Sequence, residues 1–316
     1  MRAGYKKQMG VTLVELMVAA TLGLLISSGI GAVFVQGSRS HSEDDRYLRM
    51  IESGRYAINV IANDLRMISF WGEMLDPGGI GSALTAGEDC GLDLFDGAAP
   101  VSTNNPHASP ALVQFDIASG TCASLTGTVR TGTNQLALKH TSGLSVTTGQ
   151  TNNTVYVRSN GATANFVQYV SGTTAAPSAN FADWTYLPRM YYIRDDAGTP
   201  YLCRLQLNGL GFAATTVDEC LAEGVEQFHV QFGIDTDADG VANQYKSDPA
   251  AAEMDNAVTA RVYVLVRSMT PDPHRANPKA YALGDLAIAA AGDNFYRRVF
   301  STTVQLRNPA NLAVLN

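Results

Sequence analysis

The side chains with the spacing to do chemistry here are carboxylates. Asp235, Asp237 and Asp239 alternate in Asp235-Thr236-Asp237-Ala238-Asp239-Gly240-Val241-Ala242-Asn243, directly after a run, Val225–Ile234, that reads as a strand. The order matches the first nine positions of a D-x-D-x-D-G calcium loop, in which a glycine, here Gly240, turns the chain so that three carboxylates converge on one hard cation. The carbonyl of Val241 and the side chain of Asn243 would add oxygens. Position twelve departs, with Lys246 in place of a bidentate Glu, so Asp248 or another loop would have to close the shell. The same residues read equally as an acidic hairpin turn, since Asp-Gly is a favoured turn pair. Calcium is the one candidate cofactor, and nothing in the sequence requires it.

Other chemical signals fail on context. Gly209-Leu210-Gly211-Phe212-Ala213-Ala214 has the string of a dinucleotide fingerprint but lies in no βαβ unit, so it reads as a loop. His41, His107, His140, His229 and His274 show no metal-ligand spacing, and no C-x-x-C pair supports zinc. No catalytic constellation emerges, and the expectation is a protein that is not an enzyme. With 22 basic against 29 acidic side chains the formal charge is −7, which argues against a broad nucleic-acid surface. Arg130, Lys139 and Arg158, in the acid-free stretch 117–182, leave a local basic patch as an alternative.

The remaining carboxylate of interest is Glu15. It is the only charged residue from Val11 to Gln36, an almost wholly apolar run behind a leader that holds Arg2, Lys6 and Lys7 and no acid. At ~1.5 Å per residue the run makes roughly 39 Å of helix, enough to span a hydrocarbon core of about 30 Å. The basic leader keeps the N-terminal end cytoplasmic and predicts that the chain beyond Arg39 is exported. The run is longer than a secretory signal's apolar core and has no A-x-A site after it. A lone carboxylate in such a segment costs several kcal/mol unless neutralised or paired. Glu15, Ala19, Gly23, Ser27 and Gly31 follow at i+4 steps, a small-residue ladder of the kind membrane helices use for close packing.

Gly10-Val11-Thr12-Leu13-Val14-Glu15-Leu16 after a short basic leader resembles the processing site of type IV prepilins. The resemblance implies that a membrane prepilin peptidase cuts after Gly10 and methylates the new terminus at Val11, a position where the family usually has Phe. It also implies that Glu15 pairs with the terminal amine of its own or a neighbouring subunit during assembly. Glu52-Ser53-Gly54-Arg55-Tyr56-Ala57, Asn63-Asp64-Leu65-Arg66-Met67 and Phe70-Trp71-Gly72 are similar to the minor pilins called PilW. So are the stretches Arg261–Ser268 and Arg298–Asn308.

The expected organisation follows. Residues 1–10 are the leader, 11–37 the transmembrane half of a long helix, 38–70 its amphipathic half, and 71–316 a β-rich exported domain. Ile51, Ile58, Ile61, Leu65 and Ile68 carry the amphipathic stripe. Gly54 inside it costs about 1 kcal/mol relative to Ala and reads as a place to bend. Pro77-Gly78-Gly79 ends the helical region. Strands are predicted at 111–117, 135–140, 154–158, 166–170, 189–194, 201–207, 225–234, 257–268 and 297–307. The fold class is α+β: a pilin-like helix on an antiparallel sheet with a large β-rich insertion. A boundary near Ala182 is disfavoured, because the later strands should complete a sheet with the earlier ones.

Cys90, Cys122, Cys203 and Cys220 all fall in the exported part, where disulfides persist. Four cysteines allow three connectivities. The sequential pairs Cys90–Cys122 and Cys203–Cys220 are favoured because each closes a loop-like stretch, at about 3 kcal/mol apiece. The resemblance implies a minor pilin that helps prime a type IV pilus and sits at or near its tip, first in the inner membrane and then at the cell surface. Its implied partners are other minor pilins, the major pilin, the inner-membrane assembly platform and a large tip adhesin, with no nucleic acid. A pseudopilin of a type II secretion system is the alternative that shares every N-terminal feature.

Overall fold

A computed structural model describes residues 10–74, 80–87, 95, 112–116, 129–211, 219–254, 256–272 and 276–307. Helix α1 runs Leu13–Met67. Strands follow in chain order: β1 (Ile80–Gly81), β2 (Leu112–Asp116), β3 (Asn134–Leu138), β4 (Thr141–Val146), β5 (Thr154–Ser159), β6 (Ala164–Tyr169), β7 (Ala182–Tyr186) and β8 (Arg189–Asp196). Then come β9 (Thr199–Gln206), β10 (Glu219–Glu223), β11 (Val225–Ile234), β12 (Gln244–Lys246), the short helix α2 (Ala251–Met254), β13 (Ala257–Arg267), β14 (Tyr281–Leu283), β15 (Leu286–Ile288) and β16 (Arg297–Gln305). The chain divides into two units, residues 1–48 and 49–316.

In the first unit α1 has no buried side chain among the described residues: its Leu, Val and Phe side chains are exposed, Leu24 and Phe34 by 72% and 75%. This stretch is long and apolar enough to cross a membrane. In the second unit the same helix becomes amphipathic and buries Met50, Gly54, Ala57, Ile58, Ile61, Ala62 and Leu65, with Ile68 buried just past its end. The stripe thus starts at Met50 rather than Ile51 and alternates large with small residues. The small ones let a sheet approach the helix closely.

That sheet has the order β12-β11-β13-β16 and is antiparallel throughout. Phe228, Val230, Val262, Val264, Val304 and Leu306 join the helix stripe in one core. Gly54 is where contact is tightest. A Cβ there would lie 2.3 Å from the ring of Phe300 on β16. Gly54 therefore serves packing, and the helix runs through it without interruption.

A second sheet, β10-β9-β8-β3-β2, and a third, β1-β6-β5-β7-β4, complete the body, with β14–β15 as a separate ribbon. All pairings are antiparallel except β1 on β6. Pairing of β3 with β8 and of β5 with β7 joins strands from both sides of residue 182. The third sheet shares a core with Phe70 and Trp71 from the chain just after α1. Trp71 stacks on Tyr186, and Phe70 meets Trp184 edge-on.

Each strand expected from the sequence has a counterpart. Strands β1, β4, β7, β10, β12, β14 and β15 were not expected, and the reason differs among them. β7 carries an acid mid-strand, Asp183, which is fully buried because Arg158 on β5 closes on it at 2.7 Å. β4 is small and polar, with a register shift against β7.

Candidate functional site

The processing residues Gly10 and Val11 are exposed and non-helical, immediately before the helix begins. The helix opens on a reciprocal cap. The Glu15 amide donates to Thr12 Oγ1 at 3.3 Å, while the Thr12 amide and hydroxyl donate to Glu15 Oε2 at 3.1 and 3.0 Å. This is a capping box, S/T-x-x-E, and it satisfies two donors of the first turn. Among the described residues Glu15 thus has local partners only.

Ala19, Gly23, Ser27 and Gly31 continue from it on the exposed helix, and a Cβ at Gly23 or Gly31 would meet nothing within 4 Å. Such a stripe offers close backbone approach to another helix. Farther along, Thr21 and Ser28 hydroxyls donate to the carbonyls of Val18 and Leu25, which keeps them satisfied without water.

The acidic turn after β11 folds around Asp235. Its carboxylate accepts the amides of Asp237 (3.1 Å), Ala238 (2.7 Å) and Gly240 (2.7 Å). Burial alone would raise the Asp235 pKa, but the Gly240, Asp237 and Ala238 amides outweigh it and hold the carboxyl below its ordinary value. Ala238 and Gly240 both take positive φ, 61° and 83°. Asp239 accepts the Val241 amide, and Asn243 bridges Thr236 to Asp237. One oxygen each from Asp235, Asp237 and Asp239 lies within 4.8 Å of the others. Lys246, at position twelve, is ion-paired to Glu253.

Cys203 is disulfide-bonded to Cys220. The two are directly opposite on β9 and β10, so the bond ties paired strands rather than a free loop. Cys90 and Cys122 lie outside the described residues. The three basic residues of the acid-free stretch form no open patch. Arg130 pairs with Asp195 at 3.0 Å, Arg158 with Asp183, and Lys139 is buried.

Two polar nodes escaped sequence reasoning because their members are far apart in the chain. Asp64 on α1 accepts from Arg189 Nη1 and the Tyr191 hydroxyl, both at 2.5 Å, with His140 Nε2 at 3.9 Å. Burial, then the charge of Asp64, pushes the Tyr191 phenol up, and burial pulls His140 down. Nothing printed in the sequence joins residue 64 to residue 189; the only signal was an acid on the apolar side of the helical stripe. The second node gathers Arg297, Glu226 and Asp293 at 2.5–3.0 Å. Asp64 pins the helix to the second sheet, and Arg297 fixes the start of β16.

A family match covers the C-terminal part of this body. Residues 190–308 match the model of PilW, type IV pilus-assembly protein W. The PilW-matched segment holds β9 to β16 and nearly all of β8, and with them Phe300, whose ring packs against Gly54 of α1, and the acidic turn. Among solved structures the chain is similar to a type IV-like pilin from Thermus thermophilus, at 12% identity and a TM-score of 0.35, covering 82% of this chain and 98% of that one. No curated protein matches.

Proposed function

We propose that the chain is a minor pilin, made as a prepilin, that helps prime a type IV pilus and sits at or near its tip. The observation that carries this reading is the PilW match over residues 190–308, on a body joined to an apolar, membrane-length helix. Cleavage between Gly10 and Val11 would place a positive amine beside Glu15. In the membrane Glu15 is held by Thr12, and on assembly it would exchange that local partner for a neighbour's amine. The stripe from Ala19 to Gly31 would then let helices close up. The work of extraction would come from separate motor proteins, leaving this chain a structural role with other minor pilins, the major pilin, the assembly platform and a tip adhesin as partners.

The test is N-terminal mass spectrometry of the membrane-extracted protein, followed by Glu15→Ala. The mature chain should begin at Val11, and the variant should insert and fold yet fall out of sheared pili. A chain that keeps residues 1–10 in a peptidase-competent host, or a variant that assembles normally, overturns the reading. Recovery only with secretion-system components would assign it to a pseudopilin instead. We also propose a calcium ion for the turn Asp235–Asn243, on the convergence of its three carboxylates.

A further inference from the structure

The sheets of the body end in edges of very different kinds. β12 has only three residues and includes Lys246; β10 carries Glu219 and Glu223 and is interrupted by a register shift; β4 is irregular; β1 has two residues; β2 has five and ends on Asp116, with the chain on either side of it outside the described residues. These are the devices by which proteins blunt a sheet edge against further pairing. Beyond Arg297 and Arg298 at its start, β16 has none of them. Its stretch Val299-Phe300-Ser301-Thr302-Thr303-Val304-Gln305 is uncharged, free of proline, rich in β-branched residues and in unbroken register with β13.

The hydrogen-bond phase of that edge is fixed. The amide of Leu306 donates to Val258 O, and that of Ser268 to Tyr296 O, so even-numbered residues of β16 bond to β13. Odd-numbered residues turn their amides and carbonyls outward. Consistently, the Arg297 carbonyl accepts from the Tyr281 hydroxyl on the outer side. Beyond it, among the described residues, no strand pairs with the outer edge at Val299, Ser301, Thr303 or Gln305.

At the Gln305 end the edge opens on a cleft of about 470 Å³ lined by Arg66, Met67, Phe70, Gly143, Gln305 and Arg307. Arg66 and Arg307 are exposed, and Arg66 bonds only the neutral Asn63. Neither has a carboxylate partner among the described residues. Two unpaired cations over an apolar floor call for an acidic group.

We propose that β16 receives an extended strand of a partner protein, which pairs along Val299–Gln305 and sets an acidic side chain between Arg66 and Arg307. Main-chain bonds would supply affinity and the arginines direction, as in strand addition generally. The inference does not depend on the pilus reading, since the edge belongs to the body alone.

The experiment uses the full-length protein in detergent and a synthetic probe, acetyl-Glu-Thr-Val-Thr-Val-Thr-Val-Glu-amide. Hydrogen exchange at the amides of residues 299, 301, 303 and 305 should slow by at least about tenfold with peptide. Ser301→Pro should abolish this while leaving the melting temperature unchanged, because it removes an outward amide that β13 does not use. If that variant does not fold, Arg66→Glu with Arg307→Glu serves instead and should weaken the probe, as should replacing the probe's Glu by Lys. Unchanged exchange at millimolar peptide overturns the proposal. So does protection already present without peptide, in a monomer or in a self-associated form, since the edge would then be covered by this chain itself.

Discussion

Gly54 and Gly31 stand on one helix, yet only Gly54 has its space filled. The ring of Phe300 occupies the place of a Gly54 side chain, whereas nothing lies within 4 Å of a Cβ at Gly31 or Gly23. Two of the carboxylates on the helix, Asp64 and Glu15, differ in the same way. Asp64 is buried and bound by Arg189 and Tyr191 from β8, while Glu15 reaches only Thr12, three residues away. In residues 49–67 the small Gly54 and the acidic Asp64 are folding elements, answered within the chain. Before residue 37 the same residue types are answered only by their own turn of helix, and the surrounding Leu and Val side chains are exposed. Those residues want a lipid or a second helix.

The sharpest break of this contrast is Asp64→Ala. It strands a partly buried Arg189 and the buried Tyr191 hydroxyl, at a cost of about 3 kcal/mol. The body should melt on the order of 10 °C lower by circular dichroism. A change near zero would mean that the helix needs no polar pin. Next in size is Gly54→Ala, which should cost about 1–3 kcal/mol through overpacking against Phe300. Gly31→Ala should leave the melt of the body where it was. Equal effects at the two glycines would erase the distinction between filled and open positions.

A smaller effect attaches to the same pin through pH. Burial lowers the His140 pKa below its ordinary value, because the neutral ring is favoured in the fold. The unfolded chain then binds more protons at and below the ordinary value of about 6.5. Stability should therefore fall as pH drops through that range, by up to about 1.4 kcal/mol per unit for one proton. His140→Gln should flatten the melting profile there, whereas a slope unchanged by the substitution would place the titration elsewhere.

The sequence made the apolar half of α1 legible because the requirement for a membrane-crossing helix is one of composition alone: length, apolarity and one carboxylate are enough. Strands with clean alternation or β-branched runs, such as β11 and β13, were legible for the same local reason. β7 was not, because Asp183 in it is acceptable only once Arg158 has arrived from a different strand. Gly54 looked like a hinge since its reason, Phe300, is encoded 246 residues away. The Thr12–Glu15 cap was readable from spacing yet overshadowed by the cost of the carboxylate. Asp64 lay inside a segment resembling PilW, but its partners came from the fold.

The acidic turn tests the contrast at its finest grain, because it holds carboxylates of both kinds. Asp235 is answered within the chain by three amides, while Asp237 and Asp239 are exposed and hold one weak or local bond each. Their oxygens nonetheless stand within 4.8 Å of Asp235, so their mutual repulsion is relieved if a cation sits among them. Calcium should then stabilise the full-length protein in detergent by mass action, about 1.4 kcal/mol at ten times the dissociation constant. Magnesium should do less, since a small octahedral ion uses such a loop poorly. Asp237→Ala is the discriminating variant: it deletes a ligand and loses only the 3.3 Å bond from Asn243, whereas Asp235→Ala would dismantle the turn itself. Melting curves with calcium, magnesium and chelator should separate for the wild type and coincide for Asp237→Ala. If the wild-type curves coincide through millimolar calcium, the turn is closed by its own amides and belongs with Asp64 among the carboxylates that the chain answers alone.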